Sequence, residues 1–130
     1  MNASIEFHDS KVKLAEGING TFRLLFSAAY VHRSEGRPGV DAGAGYVQPA
    51  EVVFSSASWS EPTAACVGNL SDGWVSVDGE KLSLVPLPFS ASGLVSAEFV
   101  FESGAVLSVS ASSIACSPTG EPRYVENYAG

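Results

Sequence analysis

VSAEFVFESGAVLSVSA, residues 95–111, reads as two strands around one tight turn, and its register decides the fold class. Apolar and polar residues alternate on both sides of Glu102-Ser103-Gly104. Successive side chains of a strand point to opposite faces, so the alternation means one covered face and one wet face. A three-residue loop from Phe101 to Ala105 sets Phe99 opposite Leu107, Ala97 opposite Val109 and Val95 opposite Ala111. Glu98 and Ser96 then meet Ser108 and Ser110 on the wet side. A two-residue Ser-Gly turn would put Phe99 against Ser108, and a slip of one residue exchanges core and solvent faces. The three-residue loop, with glycine in the left-handed position, is the expected one.

Upstream, Asp78-Gly79 favours the shorter turn. A type I′ turn needs positive φ at both central positions, which Asp-Gly supplies, and it pairs Val75 with Leu82. At the N-terminus, Asp9-Ser10 is read as a third turn, pairing Phe7 with Val12, Ile5 with Leu14, and Glu6 with Lys13. The longest strand is expected from Phe22 to His32, with Phe22, Leu24, Phe26, Ala28, Tyr30 and His32 on one face. Further strands are expected near Val52–Trp59 and from Leu107 to Cys116. Ser117-Pro118-Thr119-Gly120 suits a type I turn, and Arg123–Tyr128 returns as an edge strand where Pro122 is tolerated. Trp74 falls on the polar face of its hairpin, and Trp59 reads as a satellite of the core.

Eight or nine strands joined mostly by hairpins imply an all-β, single-domain antiparallel barrel, flattened barrel or sandwich over residues 1–130. No segment has helical periodicity with caps. A chain of this length has room for one hydrophobic core.

Composition narrows the partners. The net charge is −7, from 14 acidic against 7 basic residues, so nucleic acid and anionic membrane surfaces are poor matches. There is no run of apolar residues long enough for a membrane helix, and no basic-then-apolar leader, so the cytoplasm is the expected compartment. Cys66 and Cys116 lack CxxC spacing and read as buried thiols.

Functional side chains crowd into Tyr30–Glu51. Tyr30, His32, Arg33, Glu35, Arg37, Asp41, Tyr46, Gln48 and Glu51 are the candidate ligand-binding residues, on a glycine-rich loop at the barrel mouth. Arg33 or Arg37 would take an anion; Asp41 or Glu51 would hold an amine, a hydroxyl or a metal. His8, by parity, faces solvent, and His32 has only Glu35, Asp41 or Glu51 as co-ligands, so no metal and no cofactor are expected.

The segment PTGEPRYVEN, residues 118–127, resembles the second motif of the cupin family, and Tyr30, His32 and Glu35 sit loosely at the place of the first. Arg123 stands where that family has a metal-binding histidine, and Tyr30 and His32 stand where the first motif has two; both departures remove metal ligands. The similarity covers a small part of the chain and carries no metal site over to it.

No nucleophile elbow, phosphate loop or dinucleotide fingerprint is present. The expected function is therefore a non-enzymatic binding or protein-interaction module using the 30–51 loop, with a small molecule or a protein as ligand. The alternative is a small hydrolase or isomerase using His32 with a carboxylate. Sparse charge and a tail bearing Tyr124 and Tyr128 point to a homodimer.

Overall fold

Alternation becomes pairing along the whole chain. The computed structural model describes residues 1–60 and 62–129. Strands take 73% of it and no helix is present among the described residues, so the all-β reading holds. In chain order the strands are β1 (Asn2–Ile18), β2 (Thr21–Ser34), β3 (Gly43–Ser55), β4 (Ser58–Trp59), β5 (Gly68–Val77), β6 (Glu80–Leu82), β7 (Leu84–Pro86), β8 (Phe89–Phe101), β9 (Val106–Pro118) and β10 (Arg123–Tyr128).

Six of them close an antiparallel barrel in the order β3-β2-β1-β5-β8-β9, and β9 returns to β3. Closure removes the open edges that a sheet would otherwise present. The first half of β3 extends past the seam, where it pairs with β10 instead of β9. The first half of β1 likewise pairs with β7. Among the described residues, no helix is long and apolar enough to cross a membrane.

The two decisive hairpins have the expected registers. Phe99 faces Leu107, Ala97 faces Val109 and Val95 faces Ala111. Gly104 has φ +97°, and the Phe101 N–H donates to the Ala105 carbonyl across the loop. Val75 faces Leu82, with φ of 50° at Asp78 and 85° at Gly79. The core holds Phe7, Phe22, Phe26, Phe54, Phe99 and Phe101, each essentially without solvent contact. Burying a side chain of this kind is worth roughly 1.5–3 kcal/mol. Trp59 closes one side of it, with its ring 5.2 Å from that of Phe22 and Gly17 beneath it. Trp74 lies on the other face of its hairpin under the Lys81 ammonium, 4.9 Å from the ring centroid.

Four expectations change. Asp9-Ser10 is a bulge inside β1 and not a hairpin: β1 runs on, and both its halves pair with β2. Only Asp9 takes positive φ, at 72°, so the chain does not reverse. Phe7 and Val12 are still buried, but Leu14 is exposed and Ala15 takes its place inside. A second irregularity lies in β2 between Phe26 and Ala29. It exchanges the faces, so that Ala29 and Val31 join the core while Tyr30 and His32 point the other way. Residues 43–51 are strand, leaving a loop over residues 35–42 only. Finally, β9 continues through Ser117 and Pro118, which pair with Glu51 and Ala50, in place of the expected turn.

Candidate functional site

The bulge in β1 is held by a buried hydroxyl. Ser10 Oγ donates to the Glu6 carbonyl at 2.7 Å and accepts the Tyr30 N–H at 2.9 Å, bridging the stretch where the ladder is interrupted. Glu6 is thereby fixed opposite Tyr30, on the face that Tyr30 and His32 share.

On that face the ring of His32 is enclosed, its side chain only 12% exposed. Its Nε2 lies 2.8 Å from Glu6 Oε1, and its Nδ1 is hydrogen-bonded to the Tyr128 hydroxyl. Tyr128 also donates to the Ala44 carbonyl at 3.0 Å. The Tyr30 ring stands edge-on to His32 at 5.1 Å. Gly45 is glycine because the Tyr30 hydroxyl occupies the space of a side chain there. Burial, followed by the neighbouring Glu126 and Tyr128, pushes the Tyr30 hydroxyl up to about 12. Burial first, then Glu126 and Glu6, raises Tyr128 as well. Both phenols therefore stay protonated near neutral pH.

The opposite face of the same strands carries a separate group. The Arg33 guanidinium lies 5.3 Å from the centroid of the Tyr46 ring, and Tyr46 meets Tyr124 of β10 edge to face at 5.8 Å. Arg33 Nη2 donates to Gln48 Oε1 at 3.0 Å. Gln48 is almost fully buried, and its Nε2 donates to the Gly120 carbonyl at 2.8 Å, which fixes which end of the amide Arg33 meets. Arg33 Nε is buried and has no hydrogen-bond partner among the described residues.

The nine candidates thus occupy several places. Tyr30 and His32 form one group, Arg33, Tyr46 and Gln48 a second. Arg37 and Asp41 tie the exposed 35–42 loop to itself. The Arg37 N–H donates to Asp41 Oδ2 at 2.7 Å, and this bond, with the guanidinium, holds the Asp41 carboxyl below its usual range. Glu35 is exposed on the same loop. Glu51 sits away along β3, 2.9 Å from Arg23. His32 is therefore partnered by Glu6 and not by Glu35 or Asp41.

Glu6 and Glu126 lie outside the nine expected residues, and Tyr128 is expected from the sequence only in self-association. Tyr128 signalled itself as an aromatic in a polar edge strand; Glu6 gave no signal, since its position depends on the bulge. Glu6, His8 and Asp9 bring possible ligand atoms within 4.8 Å of one another. His8 and Asp9 are exposed and Glu6 is half-buried, and His8 Nδ1 lies 3.4 and 3.6 Å from the two carboxylates, so they read as an ion-pair cluster, and no metal is assigned to them. The thiols of Cys66 and Cys116 are buried, and burial pushes Cys116 up to about 12, which makes it unreactive.

No protein-family model matches this chain, and neither a curated protein nor a solved structure matches it.

Proposed function

We propose that the protein is a cytoplasmic, non-enzymatic binding module, one domain long, that recognises a ligand through an anionic group held at Arg33. The observation that carries this reading is the state of Arg33. Its cation is partly buried, aligned by Gln48 and the Tyr46 ring, and paired with no carboxylate among the described residues. In the same acidic chain Arg23 and Arg37 both have carboxylate partners. A buried guanidinium N–H without a partner is costly, and a planar anion is the group that a guanidinium fork fits best. Tyr46 and Tyr124 extend the site to solvent, with Tyr124 53% exposed, and arginine with tyrosine is the combination that dominates binding hot spots. A carboxylate presented by a peptide or protein partner suits this surface.

The enzyme reading rests on the Glu6–His32–Tyr128 chain of carboxylate, imidazole and phenol. Both ring nitrogens are already engaged inside the protein, so binding is favoured over catalysis. Self-association belongs to the same proposal. The strand β10 lies at the end of the sheet order, with Tyr124 and Val125 exposed, and a second copy could add to it. Sedimentation over a range of concentrations tests that part separately.

The test of the site is an NMR titration of the ¹⁵N-labelled protein with acetate and with inorganic phosphate at constant ionic strength. Saturable shifts are expected at the Arg33 side chain, Tyr46 and Gln48, and they should vanish in Arg33→Gln. Shifts that never saturate, or that persist in the variant, overturn the reading.

A further inference from the structure

Counting protons around His32 fixes the charge state that its contacts require. The Tyr128 hydroxyl donates to the Ala44 carbonyl. A phenol has a single proton, so its bond with His32 Nδ1 must then be donated by the imidazole. On the other side, an ionised carboxylate only accepts, so the Nε2 bond to Glu6 also needs an N–H from the ring. All three bonds form together only when both ring nitrogens are protonated. A neutral imidazole satisfies two of them: either Tyr128 turns from Ala44 to Nδ1, or Glu6 loses its donor.

Groups from several elements surround the ring. Glu6 faces the ring from β1, with His8 behind it, 3.6 Å from the other carboxylate oxygen. Tyr128 faces it from β10, Tyr30 flanks it on β2, and Glu126 of β10 acts on both phenols. Gly39 and Leu84 lie on the remaining side: a Cβ at Gly39 would fall 2.8 Å from Leu84 Cδ1 and 3.7 Å from the His32 ring. The groups in contact with His32 are thus one carboxylate and two neutral phenols, with His8 behind Glu6 and Glu126 beside the phenols.

What the network holds is the C-terminal strand. Every residue of β10 is exposed or half-exposed, so little apolar burial secures it. Its fastenings among the described residues are the ladder to β3, the Tyr46–Tyr124 contact, the hydrogen bond of Tyr30 with Glu126, and Tyr128. We infer that protonation of His32 latches β10 onto β3, and that loss of the proton loosens the end of the strand and frees the edge of β3 at residues 43–47. This device does not depend on the ligand proposed at Arg33, which lies on the other face.

Amide hydrogen exchange by NMR, corrected for the intrinsic pH dependence of exchange, tests it from about pH 5 to about pH 8, the span over which an imidazole titrates. Protection at Asn127 and Tyr128 should fall about fivefold or more as the His32 ring nitrogens lose the shifts of the doubly protonated form, roughly the factor one hydrogen bond is worth. The amides of Phe99 and Leu107 should not follow. Tyr128→Phe keeps the ring and removes the hydroxyl, and should abolish the step. His32→Gln should abolish it too while leaving His8 to titrate. Protection of β10 that is flat with pH in the unsubstituted protein, or a step that survives in either variant, overturns the latch. The Phe99 and Leu107 amides report that each variant is folded.

Discussion

Phe7 and Phe99 meet edge to face, ring centroids 5.1 Å apart and planes at 88°, although a whole strand separates theirs. Phe7 is on β1, Phe99 on β8, and β5 runs between them. They touch because β5 presents Gly73 opposite Phe99, where the missing side chain leaves room for both rings. Such a pairing adds about 0.5–1.5 kcal/mol beyond the area it buries.

Gly73→Ala should therefore destabilise the fold by about 1–3 kcal/mol, the usual cost of overpacking a filled core. The new Cβ would lie 2.8 Å from Phe7 Cβ and 3.1 Å from Phe99 Cδ1. Phe7 Cβ is fixed by its own backbone and cannot swing aside as a side-chain tip can. Urea denaturation checks this: a midpoint equal to that of the unsubstituted protein would show that the rings have slack.

Gly104→Val isolates the backbone term. Nothing lies within 4 Å of a Cβ built at Gly104, so no contact is broken, but its φ of +97° is unfavourable for a β-branched residue. A loss of about 1 kcal/mol or more is expected in the same denaturation experiment. No loss would mean that the loop changes its form at no cost, and the register argument for the hairpin at 102–104 would lose its physical basis.

Those two hairpins were legible because a turn of known chemistry sits between two alternating runs, and either slip would have buried serine. The edge strand β10 was legible for a similar local reason, with Pro122 just before it. The bulges were not. Three extra residues in β1 between Glu6 and Lys11, or one in β2 at Ser27-Ala28, leave no mark in composition, yet an odd number inverts everything after it. Parity counted from Phe22 therefore placed His32 inside the barrel, when it stands outside with Glu6. The glycines misled for another reason. Gly43 and Gly45 suggested a loop, but they make room for the Arg33 carbonyl and the Tyr30 hydroxyl within paired strands. Of the His32 partners, Glu6 is 26 positions away and Tyr128 is 96, distances over which only the completed barrel brings residues together.

Alkaline pH should destabilise the protein through Tyr30, and the sign follows from its environment. In the unfolded chain the phenol releases its proton near its ordinary value of 10.0; in the folded protein burial, with Glu126 next to it, holds the proton until about 12. Between these values the unfolded state binds fewer protons, so stability falls as pH rises. The contribution is fully present below about pH 10 and is lost on the way to about pH 12. Urea midpoints measured across this range should decline. Tyr30→Phe removes the group and should flatten the decline without abolishing it, because Tyr128 is raised in the same way. Comparing slopes, and not absolute midpoints, cancels the packing and the bond to Glu126 that the substitution also alters. An alkaline slope identical in Tyr30→Phe and the unsubstituted protein would show that Tyr30 ionises as freely in the fold as in water.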